Sequence, residues 1–227
     1  IAACRMRPVY LYPPTPVFMF LKALALTALT GTLFASLDLP ELGIGSPVPA
    51  ADVKLKDVIG GERSLKDIAS DNGLLVIFSC NTCPFVIGHG GSEGWQKRYP
   101  DLAKLCATVK IGFVLVNSND AMRDDGDGFI DMQKQYKLQN YGGHYLLDQG
   151  HVLADAYGAR TTPHVFLFDK DLKLVYKGAI DDNVDDPKAV QKPWLRDAIA
   201  AMMKGQPAGP AITRNIGCGI KRAAPEQ

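Results

Sequence analysis

Along the chain, short apolar runs of two kinds are separated by stretches with helical spacing. Val53-Lys54-Leu55-Lys56-Asp57-Val58 alternates apolar with polar residues, the pattern of a strand buried on one face. Gly60-Gly61 supplies a turn, Arg63-Ser64-Leu65 returns as a short partner strand, and Ser64 is placed to cap a brief helix through Ala69. Leu74-Leu75-Val76-Ile77-Phe78 is instead apolar throughout and follows Asn72-Gly73, which predicts a central strand covered on both faces. Ile111 to Val116 repeats that pattern. Between the two runs a helical stretch is expected to about Thr108, loosened in its middle by Gly88, Gly90, Gly91 and Gly94.

Further on, a helix is predicted over Asp127 to Leu138, a short strand at Tyr145-Leu146-Leu147 and a short helix over Val152 to Tyr157 before Gly158. Val165 to Phe168 and Leu174 to Lys177 flank Asp169-Lys170-Asp171 and read as an antiparallel hairpin. Pro193 to Met203 carries Trp194, Leu195, Ile199 and Met202 near helical spacing and closes the core. Strands alternating with helices and ending in a hairpin make an α/β protein, a central mixed sheet with helices on both faces and an N-terminal β-hairpin extension. Breaker-rich stretches bound the domain: 37–50 reads as a linker, 51–204 as the domain, and 205–227 as a flexible C-terminal tail containing Cys218.

The chain has 227 residues, enough for one well-packed domain with spare length at both ends. Lys plus Arg number 25 against 24 Asp plus Glu, and a net charge of +1 argues against a protein built to bind nucleic acid or an anionic membrane. The first residue is Ile, and Met19 is the natural alternative start, which leaves 1–18 as an upstream segment. From Met19, one positive charge at Lys22 precedes the apolar stretch Ala23 to Ala35, the layout of a secretory signal peptide over 19–36. The run is shorter than the roughly 18 residues of a spanning helix. Export to the periplasm or outside the cell is expected, with membrane attachment only if this segment stays uncleaved.

The cysteines are Cys4, Cys80, Cys83, Cys106 and Cys218, and only Cys80 and Cys83 are close in sequence. A dithiol that cycles with a disulfide needs two sulfurs within bonding reach and one held as a thiolate. Two intervening residues at a helix start meet both needs, because unpaired N–H groups and the helix dipole favour an anion there. Cys80 directly follows the buried run and Pro84 suits a first helical turn, so Cys80 is expected to attack and Cys83 to resolve. A zinc site is the structural rival. It requires a second ligand pair, for which the chain offers only scattered Cys106, Cys218, His89, His144, His151 and His164. The expectation is therefore no metal and no organic cofactor.

On these residues the chain resembles a thioredoxin-fold redoxin, of the superfamily joining thioredoxin-like reductases to the alkyl hydroperoxide reductase and thiol-specific antioxidant proteins, on its peroxiredoxin-like branch. The resemblance covers about residues 45 to 204. It includes the hairpin from Ala51 to Leu65, the run Leu74 to Pro84, Leu147-Asp148 through Ala154 to Ala159, and Thr162-Pro163-His164-Val165-Phe166-Leu167-Phe168-Asp169. It implies a cis Pro163 against the active cysteines, with Thr162 offering backbone groups to an extended substrate. Two departures stand out: Ser79 and Asn81-Thr82 replace the Trp and Gly-Pro of thioredoxin, and Ile77 sits where peroxiredoxins carry Thr or Ser.

The segment Gly217-Cys218-Gly219-Ile220-Lys221-Arg222 resembles a tail in uncharacterised members of that branch, and makes Cys218 a candidate third redox cysteine. Cys106, near Leu102 and Leu105, reads as a buried structural thiol, and Asp124 to Asp131 as a solvated turn and acidic helix start rather than a calcium loop. His89 and Tyr141-Gly142-Gly143-His144 are weaker candidates for tuning Cys80 or bordering a groove. The expected function is an exported thiol-disulfide oxidoreductase acting on protein or small-molecule disulfides with a thiol electron donor or acceptor. A thiol peroxidase and a non-catalytic binding module are the alternatives.

Overall fold

The computed structural model of the protein describes residues 40–224. The segments expected as an upstream stretch over 1–18 and a signal peptide over 19–36, together with Cys4, lie outside the described residues.

Three parallel strands form the centre of a seven-stranded sheet: β3 (Leu74–Ser79), β4 (Gly112–Asn117) and β5 (His144–Leu147). The hairpin β1 (Leu55–Asp57) and β2 (Glu62–Arg63) joins antiparallel beyond β5, and the hairpin β7 (His164–Phe168) and β8 (Leu174–Gly178) joins antiparallel beyond β3. The order is therefore β2-β1-β5-β4-β3-β7-β8. Every residue of β3, β4 and β7 is buried, as continuous apolar runs require when both faces of a sheet are covered.

Successive side chains of a strand point to opposite faces, and the two cores follow that alternation. One contains Leu75, Ile77, Leu115 and Val165, covered by α2 (Pro84–Ile87), α3 (Tyr99–Thr108), α4 (Phe129–Gln139) and α6 (Trp194–Met203). The other contains Leu74, Val76, Phe78 and Phe166, covered by α1 (Leu65–Ile68) and α5 (Val152–Tyr157). Ser64 caps α1 in a reciprocal capping box with Asp67.

Two expectations change. The helix predicted up to Thr108 is split into the four-residue α2, a glycine loop, a 3-10 turn at Trp95–Arg98, and α3. Gly88 and Gly94 both have positive φ and pack against each other, and a Cβ on Gly94 would stand 2.3 Å from the Gly88 nitrogen. The second change is at the ends. Residues 42–48 bond to Tyr157, Leu172 and Leu174 instead of hanging free as a linker. The expected flexible tail follows a hydrogen-bonded course: Thr213 pairs with Lys177, β9 (Cys218–Gly219) pairs antiparallel with β6 (Thr161–Thr162), and Ile220 is buried in the second core.

Candidate active site

The site lies at the C-terminal end of β3. Cys80 follows Ser79 directly, and Cys83 is the cap residue before α2, with Pro84 at the first helical position where its missing N–H is no loss. The Cys83 N–H donates to the Cys80 Sγ at 3.3 Å, and the Cys80 Sγ lies 3.2 Å from the Thr162 Oγ1. The Cys83 Sγ, as a thiol, donates to the Thr162 carbonyl oxygen at 3.2 Å. Thr162-Pro163 is a cis peptide bond, and Thr162 thus touches both sulfurs from the strand that precedes β7. All four cysteines among the described residues are free thiols.

Helix-end stabilisation is weaker here than a long helix would supply, because α2 makes only one turn. Direct donors take its place. Burial pushes the Cys80 thiol well above its ordinary range, and the nearby Asp127 carboxylate pushes the same way. Cys83 is lowered to about 5, first by a hydrogen bond with the Cys80 side chain and then, against the cost of burial, by the Cys218 side chain and N–H. Cys83 is thus held down while Cys80 is held up, whereas the strand-to-helix position alone favours an anion on Cys80. Cys218 itself is raised to about 11, by burial first and by its neighbour Cys83 second.

Asp127 was hidden in the acidic run, which was expected to be a solvated turn. It is fully buried. Its carboxylate accepts from the Asn81 N–H at 2.6 Å, the Thr82 Oγ1 at 2.7 Å, the Asn117 Nδ2 at 2.8 Å and the Asn119 Nδ2 at 3.0 Å. Both residues between the cysteines are therefore pinned by one carboxylate. Asn81 also donates to the Gly126 carbonyl at 3.0 Å and accepts from the Tyr145 hydroxyl at 3.0 Å. Arg123, below this loop, donates to the carbonyls of Asp127 and Asp148 and to Asn117.

Cys218 arrives at the same place from the other end of the chain. Its N–H donates to the Cys83 Sγ at 3.4 Å, and Thr162 and Cys218 are paired across the β6–β9 ladder. The remaining candidates fall elsewhere. Cys106 is buried in the first core and its thiol is pushed up to about 12 by burial. His144 sits at the start of β5, at the opposite end of the parallel strands from Cys80, with its Nδ1 2.6 Å from the Asp57 Oδ2. His89 is exposed and lines a shallow groove with Pro84, Phe85 and Val184. Among the described residues no three His, Cys, Asp or Glu side chains are grouped to hold a metal ion.

The model of the AhpC/TSA family matches residues 44–177. Among solved structures, a hypothetical protein from Sinorhizobium meliloti is 34% identical, with a TM-score of 0.70, over 82% of this chain and 97% of that one. An uncharacterised conserved protein from Geobacillus kaustophilus is 32% identical, with a TM-score of 0.69, over 83% of this chain and 95% of that one. A putative thiol:disulfide interchange protein from Chlorobium tepidum, 17% identical with a TM-score of 0.54 over 72% of this chain and 99% of that one, shares the thioredoxin-like fold. No curated protein matches the chain.

Proposed function

The chain belongs to the AhpC/TSA family, and on that premise we propose that it is an exported thiol-disulfide oxidoreductase working through Cys80 and Cys83. One observation carries the reading: the Cys83 N–H donates to the Cys80 sulfur, and Thr162 contacts both sulfurs through oxygens 3.2 Å away. A dithiol in that setting can close to a disulfide with little movement of the backbone.

In the reducing direction the Cys80 thiol passes its proton to the Cys83 thiolate and attacks one sulfur of a substrate disulfide. A Cys80–substrate bond forms, and the other substrate sulfur leaves as a thiolate and takes a proton. Cys83, already favouring its anion, attacks Cys80, closes the Cys80–Cys83 disulfide and expels the substrate as a second thiol. Two electrons have passed to the substrate, and a thiol donor must restore the pair. The sulfurs supply all of the chemistry, so no organic cofactor or metal takes part. Export rests on the Lys22 charge and the apolar stretch Ala23 to Ala35.

The test is trapping. Cys83→Ser, incubated with an unfolded disulfide-containing protein, is expected to remain covalently joined to it through Cys80. A folded variant with a reactive Cys80 that yields no adduct would contradict the reading.

A thiol peroxidase is favoured by one observation, that Cys80 is 1% exposed, which suits a small oxidant better than a protein disulfide. A peroxide would convert Cys80 to a sulfenic acid and leave as an alcohol or water, and Cys83 would then form the disulfide with release of water. Ile77, in place of a hydroxyl residue, counts against it. Peroxide consumption in a coupled assay, compared with disulfide reduction under the same conditions, separates the two.

A further inference from the structure

We infer that residues 217–219 form a built-in substrate strand, and that Cys218 on it exchanges disulfide with Cys83 and so links the buried pair to external dithiols. This deepens the proposed function and rests on it.

An open strand edge can take up an extended segment through main-chain hydrogen bonds. Here the edge at Thr161–Thr162 is filled by the chain's own Cys218–Gly219 in antiparallel register, Thr162 opposite Cys218. The approach is close enough to demand glycine: a Cβ on Gly217 would stand 2.2 Å from the Thr162 carbonyl oxygen. Anchors hold the strand on both sides. Thr213 bonds to Lys177, and its Oγ1 meets the Tyr176 hydroxyl at 2.7 Å. On the far side the Ile220 N–H donates to the Arg160 carbonyl at 3.0 Å, the Lys221 N–H to the Asn119 Oδ1 at 2.9 Å, and the Arg222 Nε lies 2.7 Å from the Asp155 carboxylate.

The strand orders the three sulfurs from inside to outside. Cys80 and Cys83 are 1% and 3% exposed, whereas Cys218 is only half-buried. Cys83 is the middle residue: its own N–H donates to the Cys80 sulfur, and its sulfur accepts the Cys218 N–H on the other side. An external thiol meets Cys218 first.

The exchange conserves electrons. Starting from the Cys80–Cys83 disulfide, left after a substrate disulfide has been reduced, Cys218 gives up its proton and attacks the Cys83 sulfur. The Cys83–Cys218 bond forms, the Cys80–Cys83 bond breaks, and Cys80 leaves with the electron pair and takes a proton. An external dithiol then attacks Cys218, expelling the Cys83 thiolate, and its second sulfur closes on the first to release Cys218. The dithiol departs as a disulfide, having given up two electrons. In the disulfide form Cys83 carries no charge, which removes one of the two causes that hold the Cys218 proton.

The test uses the full chain with Cys80→Ser, oxidised with glutathione disulfide, alkylated and mapped by mass spectrometry. A thiol held beside Cys83 competes at high effective concentration, so Cys83–Cys218 is expected to exceed the Cys83–glutathione adduct by roughly tenfold or more. Gly217→Val, which leaves every thiol in place, is expected to lower that yield by a similar factor in the same background. Cys83 found with glutathione while Cys218 is alkylated, or an equal yield with Gly217→Val, would overturn the inference. The wild type under the same oxidant separates the two layers. Loss of Cys83–Cys218 with Cys80–Cys83 intact removes this inference alone, whereas a wild type that never forms Cys80–Cys83 removes the reading beneath it and the relay as well.

Discussion

At Cys83 burial and hydrogen-bond donors act on the thiol in opposite directions. Burial raises a thiol, but donors from Cys80 and Cys218 outweigh it and bring Cys83 to about 5. Thiolate absorbance of the reduced protein is therefore expected to rise with a midpoint near that value, and Cys83→Ser should abolish the step. Asp127 acts on Cys80 instead. Its charge adds to the burial that raises Cys80, so Asp127→Asn is expected to move the Cys80 titration downward while leaving it above the ordinary range. Asp127→Ala strands the buried donors of Asn117 and Asn119, each costing about 1–3 kcal/mol, and should lower the urea midpoint by the equivalent of about 2–6 kcal/mol.

Among the elements, those with a clear period were legible. The continuous runs became β3, β4 and β7, and Val152 to Tyr157 matches α5 residue for residue. The long helix failed because propensity treats each glycine as a local cost, whereas Gly88 and Gly94 together let the backbone fold back on itself. Gly94→Ala should cost about 1–3 kcal/mol in denaturant unfolding, from a φ of +69° and a backbone clash. An unchanged midpoint would deny that contact any structural weight. The proximity of Cys80 and Cys83 followed from their spacing, and the cis Pro163 beside them from the resemblance. Asp127 could not be read in this way, since nothing local separates one buried carboxylate from its solvated neighbours Asp124 and Asp125. The tail differs for a similar reason: Gly205, Pro207, Gly209 and Pro210 predict flexibility, but the pairing of Cys218–Gly219 and the burial of Ile220 beyond them are long-range contacts that no local pattern shows.

In the whole molecule, both ends of the described chain lie against the segment that carries Thr162. At one end Glu41 stands 3.3 Å from the His164 Nε2 and 3.0 Å from the Lys177 Nζ. The neighbouring His164 side chain, followed by Lys177 and set against burial, holds its carboxyl down to about 2. A depressed carboxyl stabilises the fold fully above its ordinary value of 4.5 and loses that contribution as pH falls toward 2. Glu41→Gln should therefore lower stability at neutral pH and flatten the decline between those limits, as followed by thermal unfolding across that range. At the other end the tail strand lies on Thr162 itself.

The most direct measurement of the dithiol's role is a redox titration of the full chain in glutathione buffers of defined potential, with the thiols at each point trapped by alkylation and located by mass. Cys80 and Cys83 are expected to lose reactivity together, in a two-electron transition of about 30 mV per tenfold change in ratio, with a Cys80–Cys83 linkage in the oxidised form. Folded protein whose Cys80 and Cys83 take up label independently across the whole range, with no linkage between them, would contradict the account.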